Sequence, residues 1–441
     1  MLQARLQKPL IQSNQFGKPR SMSATKSANM SHTRSFTSIV VLALLCAGCS
    51  WFSWLPWVDG DDDKKKKDEP AELVKFDQEI ELKRQWRGRI GEGLGKKYLR
   101  LSPAVVADRI IAADGYGVVE ARDRFSGKRI WRAQTDKLEG GFFSSFNFID
   151  RKDPSFIGGG VGVGDGLVLI GTTEGHIVAL NVDDGALAWR TDLGSEILAV
   201  SSTGGGLVYT QTIDGRLVAL DREDGEVTWT YDNQVPILTL RGTSSPVYAS
   251  GVVYAGFANG KLSAFRSSNG EPIWDHRVML PEGRSELDRM VDVDTVPMLL
   301  GGTIYIGSYH GRVKALSAQN GRPLWEREVS THLDLAEGYG QIYAVDDEDI
   351  ITAIDQASGE VVWTQDDFRL RKLSSPLAFS NYLLVGDDEG YLHVIAQRDG
   401  RHLGRRKIDG KGIRSNMLVA DGTVFVLDNA GGLHALEVET K

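Results

Sequence analysis

The stretch Leu167-Val-Leu-Ile-Gly171-Thr-Thr-Glu-Gly175-His176-Ile-Val-Ala-Leu180-Asn-Val-Asp183-Asp-Gly185-Ala-Leu-Ala-Trp189 holds three short apolar runs, separated by turns whose glycines, Gly175 and Gly185, lie ten residues apart. Each run is too short for a helix, and each is bounded by Gly with Asp, Thr or Glu, the residues of tight turns. The segment therefore reads as successive strands of an antiparallel sheet. Glu-Gly at the first turn, with Asp214-Gly215 and Asn259-Gly260 further on, suits a hairpin whose central residues take positive φ.

The same spacing recurs along the chain. Gly117 and Gly127, Gly215 and Gly225, Gly260 and Gly270, Gly311 and Gly321, and Gly390 and Gly400 repeat the pair, and Asp349 with Gly359 gives a variant. Four residues after the second glycine stands a tryptophan in six cases: Trp131, Trp189, Trp229, Trp274, Trp325 and Trp363. Gly404 occupies that slot after Gly400. First-turn positions 117, 175, 215, 260, 311, 349, 390 and 431 advance by 58, 40, 45, 51, 38, 41 and 41 residues. Periods of this size mean a propeller or a solenoid, because one such unit cannot bury its apolar face alone. Eight turns predict an all-β fold over residues 77–441, an eight-bladed β-propeller of four-stranded antiparallel blades. The eighth repeat reaches Lys441 before its second glycine. Glu79-Ile-Glu-Leu-Lys-Arg-Gln-Trp86 carries a spare tryptophan and is expected to supply the missing outer strand. That pairing closes the ring and hides edges that would otherwise invite aggregation.

Composition agrees with a folded, turn-rich chain: 441 residues, 50 of them Gly, with 41% apolar and 25% charged. A net charge of -8 argues against a nucleic-acid binder, which needs a basic face. The two cysteines, Cys46 and Cys49, leave no disulfide framework, zinc ribbon or catalytic thiol for the repeats.

Residues 1–48 read as an address. Ile39-Val-Val-Leu-Ala-Leu-Leu45 is a short apolar core preceded by Arg34 and Lys26 and followed by small residues, the pattern of a secretory signal. It is too short to cross a hydrocarbon core. Met30 offers a compact start, which would leave residues 1–29 as an over-called beginning. Cys46-Ala47-Gly48-Cys49 resembles the bacterial lipobox, with Cys46 where leucine is usual, and that resemblance makes Cys49 the acylated first residue of the mature chain. Ser50 after it implies outer-membrane sorting. Residues 49–76 then form the lipidated cysteine and a flexible tether, with Trp51, Trp54 and Trp57 ahead of an acidic, Lys-rich run. Those tryptophans suit the headgroup region, or they belong to an unstructured tether.

The segment Ala121-Arg-Asp-Arg-Phe-Ser-Gly127-Lys-Arg-Ile-Trp131 resembles the tryptophan-docking motif of eight-bladed quinoprotein propellers, and five further repeats carry weaker forms. In that family the indole packs between blades. With the lipobox, Leu238-Thr-Leu-Arg-Gly242 and Asp288-Arg-Met-Val-Asp292-Val-Asp294-Thr resemble the propeller lipoproteins of the outer-membrane β-barrel assembly machine. This resemblance implies a non-enzymatic, cofactor-free scaffold on the periplasmic face of the outer membrane. Its implied partners are the POTRA domains of the insertase BamA, other lipoproteins of the complex and unfolded barrel substrates. It also marks Leu238, Leu240, Arg241, Asp292 and Asp294 as the binding face. Leu238 to Arg241 and Asp292 to Asp294 fall between blades, where loops on a rigid scaffold carry binding residues. The plainer reading makes Leu240 core and the aspartates turn caps.

Gly140-Gly-Phe-Phe-Ser-Ser-Phe-Asn-Phe148, in the 58-residue repeat, is either a partner contact or a loop folded onto the propeller. A periplasmic dehydrogenase dependent on pyrroloquinoline quinone (PQQ) is the alternative function, but such enzymes resemble this fold with a vicinal disulfide that this chain cannot form. Asp346-Asp-Glu-Asp349 and Asp387-Asp-Glu389 sit at first turns and read as turn residues, not metal ligands. Gly158-Gly-Gly-Val-Gly162-Val-Gly164-Asp-Gly166 mimics a nucleotide loop but leads into a strand instead of a helix. His176, His310, His393 and His434 scatter along strands near turns and read as structural.

Overall fold

The computed structural model describes residues 69–95, 99, 101–135, 156–236, 238–239, 244–281, 284–285, 287 and 289–441. Cys49, the tether tryptophans and the Phe142–Phe148 insertion lie outside them. The described residues form eight four-stranded antiparallel sheets in a ring, an eight-bladed β-propeller. Blades 1 to 7 run from Ala104 to Gln134, Ile157 to Asp192, Ser202 to Asp232, Val247 to Arg277, Met298 to Arg327, Ala336 to Gln365 and Leu377 to Lys407. Blade 8 takes three strands from Leu418 to Thr440, and its outer strand is β1 (Ile80–Arg89), which pairs antiparallel with the last strand, from Ile80 opposite Thr440 to Arg89 opposite Gly432.

The core lies between blades. Leu167, Leu169, Ile177 and Trp189 of blade 2 pack with Val208, Val218 and Leu220 of blade 3, and similar clusters join the other neighbours. The repeated tryptophans explain this. Within its own blade each indole faces an alanine across the ladder, as Ala121 faces Trp131 and Ala353 faces Trp363. The small residue leaves room for the ring. Each indole then reaches the second-turn glycine of the next blade: Trp131 lies where a Cβ on Gly185 would be 2.5 Å away, and Trp229 does the same to Gly270. Each indole N–H also donates to a carbonyl of that turn, Trp131 to Val182 at 2.9 Å and Trp229 to Ser267 at 2.8 Å. Trp86 of β1 completes the set on Gly127 and the Arg124 carbonyl. Burial of a large flat ring plus a satisfied N–H contributes a few kcal/mol per junction.

The junction between blades 7 and 8 differs. Blade 8 has no second turn, because Thr440 and Ile80 are the ends of separate strands. A tryptophan at position 404 would have no turn to dock on, and a Cβ there would sit 2.6 Å from the Ile80 carbonyl. Val394 opposite Gly404 replaces the usual alanine and tryptophan. The Glu79 N–H donates to the Leu403 carbonyl and the Lys441 N–H to that of Glu79, both at 2.9 Å. Upstream, Phe76 stacks on His402 and the Val74 carbonyl accepts from Arg405. Ala71 bonds both ways, to the Arg369 carbonyl and the Arg371 guanidinium. Among the described residues, Ala71 is thus already held by the propeller.

The turns depart from the sequence expectation in one respect. Gly175, Gly215 and Gly260 are left-handed at φ +93, +91 and +77, but the residues before them are not. Gly215 N–H donates to the Thr212 carbonyl at 3.0 Å, so a tight turn ends in a single left-handed residue. Asp349 takes that place at φ +63, and in blade 5 His310, at +47, takes it instead of Gly311. His310 is therefore a turn residue, whereas His176, His393 and His434 lie on strands. Paired left-handed residues occur instead at the inner hairpins, as in Asp165-Gly166 and Asp421-Gly422. The Gly158–Gly164 run is itself an inner strand (Ile157–Gly164). Cβ atoms on Gly159 and Gly162 would lie 2.5 and 2.2 Å from the Ala199 and Ser201 carbonyls, so glycine is required by close approach to the next blade.

Candidate protein-interaction face

Antiparallel strands bring two kinds of segment to one end of the ring: the turn between the second and third strands of each blade, and the link from each outer strand to the next inner one. The turns are stapled by their own polar side chains. Asp114 accepts from the Tyr116 and Val118 N–H groups at 2.9 and 2.8 Å, and Asp346 from Glu348 and Ile350, both at 2.9 Å. Asp349 accepts from Lys372 and Leu373 of the neighbouring link, at 2.7 and 2.8 Å. Burial raises the pKa of Asp346 and Asp349, although these hydrogen bonds oppose it. Asp387 receives Arg371 at 2.7 Å and His393 at 3.0 Å. Burial works against its ionisation, but His393 and Arg371 outweigh that cost and hold its pKa low. The acidic clusters are thus occupied by backbone and cation donors. Among the described residues no group of three or more His, Cys, Asp or Glu is arranged to hold a metal ion.

Two neighbouring links carry the expected site. The link from the outer strand of blade 3 (Val227–Asp232) to the inner strand of blade 4 (Val247–Ala249) contains Leu238, which is 41% exposed. Leu240 and Arg241 lie outside the described residues. The next link, from Pro272–Arg277 to Met298–Leu300, contains Asp292 and Asp294. The Ser244 hydroxyl donates to the Thr295 carbonyl at 2.9 Å and ties the two links together. The Asn233 side-chain oxygen accepts from Asn259 at 3.0 Å, fixing the first link to a blade turn. In the second link Val291, Asp292 and Val293 are buried, and the Asp292 carbonyl accepts from the Tyr309 N–H at 2.9 Å. Asp294 is half-buried and turns to the axis. The sequence-predicted residues therefore divide: Leu238 faces solvent, Asp292 is interior, and Asp294 lines the axial cavity. Sequence reasoning passed over Leu280 and Leu287 of the same second link, 56% and 62% exposed. Their signal was two leucines flanking and interrupting the polar run Pro281 to Arg289.

The axial cavity, 780 Å³, opens among these links. Its wall holds Asp294, Asp334 and Asp347 on one side and a serine-rich, apolar arc on the other. Asp334 accepts from the Val296 N–H at 2.8 Å and from the Asn416 amide at 2.5 Å, and Asp347 meets Ser330 and, at 3.2 Å, His332. Burial pushes the Tyr309 phenol on this wall upward, and Asp347 and Asp292 push it further.

A family model described as outer membrane protein assembly factor BamB matches residues 115–365 and 350–441. The chain belongs to the BamB family. A BamB of Pseudomonas aeruginosa is 42% identical over 374 residues, covering 85% of this chain and 94% of that protein. The crystal structure of BamB from Moraxella catarrhalis superposes with TM-score 0.71 at 26% identity, over 81% of this chain and 99% of that one. A quinohemoprotein alcohol dehydrogenase from Comamonas testosteroni shares the fold at TM-score 0.61 and 14% identity, over 81% of this chain and 76% of that one. Members of the BamB family are named outer membrane protein assembly factors, which gives this chain its general role in that process and its association with the outer membrane.

The quinoprotein neighbours raise the question of PQQ, a tricarboxylate, at the axis. The described wall of the cavity offers three carboxylates and neither lysine nor arginine. Like charges gathered in a partly buried site repel, so these residues do not fit that cofactor.

Proposed function

We propose that the chain is a non-enzymatic, lipid-anchored scaffold on the periplasmic face of the outer membrane. It assists β-barrel insertion by holding the POTRA domains of the insertase BamA against its loop face. The observation that carries this reading is the exposure of Leu238, Leu280 and Leu287 on two links tied to each other and to blade turns. Apolar side chains held out on a rigid frame cost little entropy to bury, and each contributes about 1.5–3 kcal/mol when covered. Arg241, beside Leu238 in sequence, supplies the polar anchor of such an interface centre. Ala71 is held by Arg369 and Arg371 in another link of this same face. Other lipoproteins of the complex share this surroundings. The outer strands, with Ile130, Ile273 and Leu324 exposed, are suited to accept an extended segment of an unfolded barrel by strand addition.

The test is calorimetric titration of the protein with POTRA domains, comparing the parent with Arg241→Glu, while circular dichroism reports folding. Binding by the parent that the substitution abolishes supports the proposal. Equal binding by both moves the site away from this link, and absence of binding by either removes the scaffold reading.

A further inference from the structure

The axial cavity has a chemistry of its own. Asp347 comes from a turn of blade 6, Asp334 and Asp294 come from the links into blades 6 and 5, and all three carboxylates line the cavity. Asp334 accepts from a backbone N–H and an amide, and Asp347 accepts from a hydroxyl and meets His332 at 3.2 Å. Across the cavity Ser201 is 4% exposed, and its hydroxyl has no hydrogen-bond partner. A buried hydroxyl is left unpaired at a cost of about 1–3 kcal/mol, and it is relieved by an incoming donor or acceptor. The remaining wall includes Leu198, Val200 and Met417, which suit an aliphatic stem.

We propose that this cavity is a binding site for a primary ammonium or guanidinium group on an aliphatic stem. The cation lies toward Asp347 and Asp334, and the stem lies along the apolar arc past Ser201. A site of this volume holds a linear polyamine or one long basic side chain. Both sources share the chemistry: a free polyamine, or a lysine or arginine of a protein docked on the loop face. This inference goes beyond the scaffold reading and does not depend on it.

The experiment uses the full chain in detergent micelles, titrated calorimetrically with spermidine at low salt and, separately, with a capped lysine pentapeptide. The parent binds at least one of the two, and Asp347→Asn weakens that binding by about tenfold or more, as loss of a charge-assisted contact requires. Asp334→Asn serves if the first variant does not melt like the parent, and Ser201→Ala weakens binding by a smaller factor. Failure of the parent to bind either cation, undiminished binding by folded aspartate variants, or preferential binding of the tricarboxylate citrate overturns the proposal. Repeating the POTRA titration in saturating spermidine separates the sources. Competition assigns the natural cation to the partner's side chain, and independence assigns it to a free ligand. Because spermidine binding needs no POTRA domain, its outcome is separate from that of the scaffold test.

Discussion

Seven of the eight blade junctions are held by a tryptophan lying on a glycine turn, while the eighth is sewn by the first strand of the domain. The contrast shows what the repeat is for. A docked indole joins neighbours that are continuous in sequence, and it needs a turn to lie on. Where the ring closes, that turn is replaced by two strand ends, and the chain substitutes backbone hydrogen bonds from Glu79 and Lys441 and a glycine at position 404. Local docking supplies stability junction by junction, whereas the seam decides whether the ring exists.

Experiments that separate these two devices follow, in decreasing order of effect. Deleting residues 71–89 removes β1, Trp86 and the contacts of Ala71, Val74 and Phe76, and exposes the last strand along its length. The truncated chain is expected to lose its cooperative thermal transition, and a parent-like melt would show that blade 8 stands without its outer strand. Trp229→Ala keeps the seam and empties one dock, at an expected cost of about 3–5 kcal/mol in denaturant unfolding. A cost below about 1 kcal/mol would mean that the indoles decorate the junctions without holding them. Gly404→Trp restores the repeat at the seam, where the Ile80 carbonyl already fills the space. It should destabilise by about 1–3 kcal/mol, as overpacking does. Stabilisation would contradict this account of the missing turn.

The smallest effect concerns pH. His393 is buried in blade 7, and burial holds its pKa below the ordinary 6.5 in spite of Asp387. Below pH 6.5 the unfolded chain therefore binds a proton that the folded chain refuses, so stability falls as pH drops toward the folded value. Asp387, held below its usual 3.8, adds a loss only at lower pH. His393→Asn should reduce the slope of unfolding free energy between pH 6.5 and 5 by at most about 1.4 kcal/mol per pH unit. An unchanged slope would place the pH dependence elsewhere.

Much of the ring was legible because its signals are local and repeated. Gly, Trp and the ten-residue spacing announce strands, turns and blade number, and the spare Trp86 announces the closing strand. Turn geometry was less legible. Asn259-Gly260 has the composition of a two-residue hairpin, but the real turn spends one left-handed residue there and keeps the doubly left-handed form for the inner hairpins. Asp292 and Asp294 alternate in sequence, yet tertiary packing buries one and turns the other to the axis, which no spacing reveals. Leu280 and Leu287 were missed because an isolated leucine in a link looks the same whether it is buried or presented.

The proposed insertase contact lies on the loop face and not on the blade rim. It is tested most directly by placing a photocrosslinking side chain at Leu238 and, separately, at Leu324 of an outer strand, in cells making the full chain. Both positions are exposed, at 41% and 59%, so accessibility alone does not favour the first. The account predicts a crosslink to the insertase from position 238 and none to it from 324. Insertase crosslinks from 324 alone would contradict it.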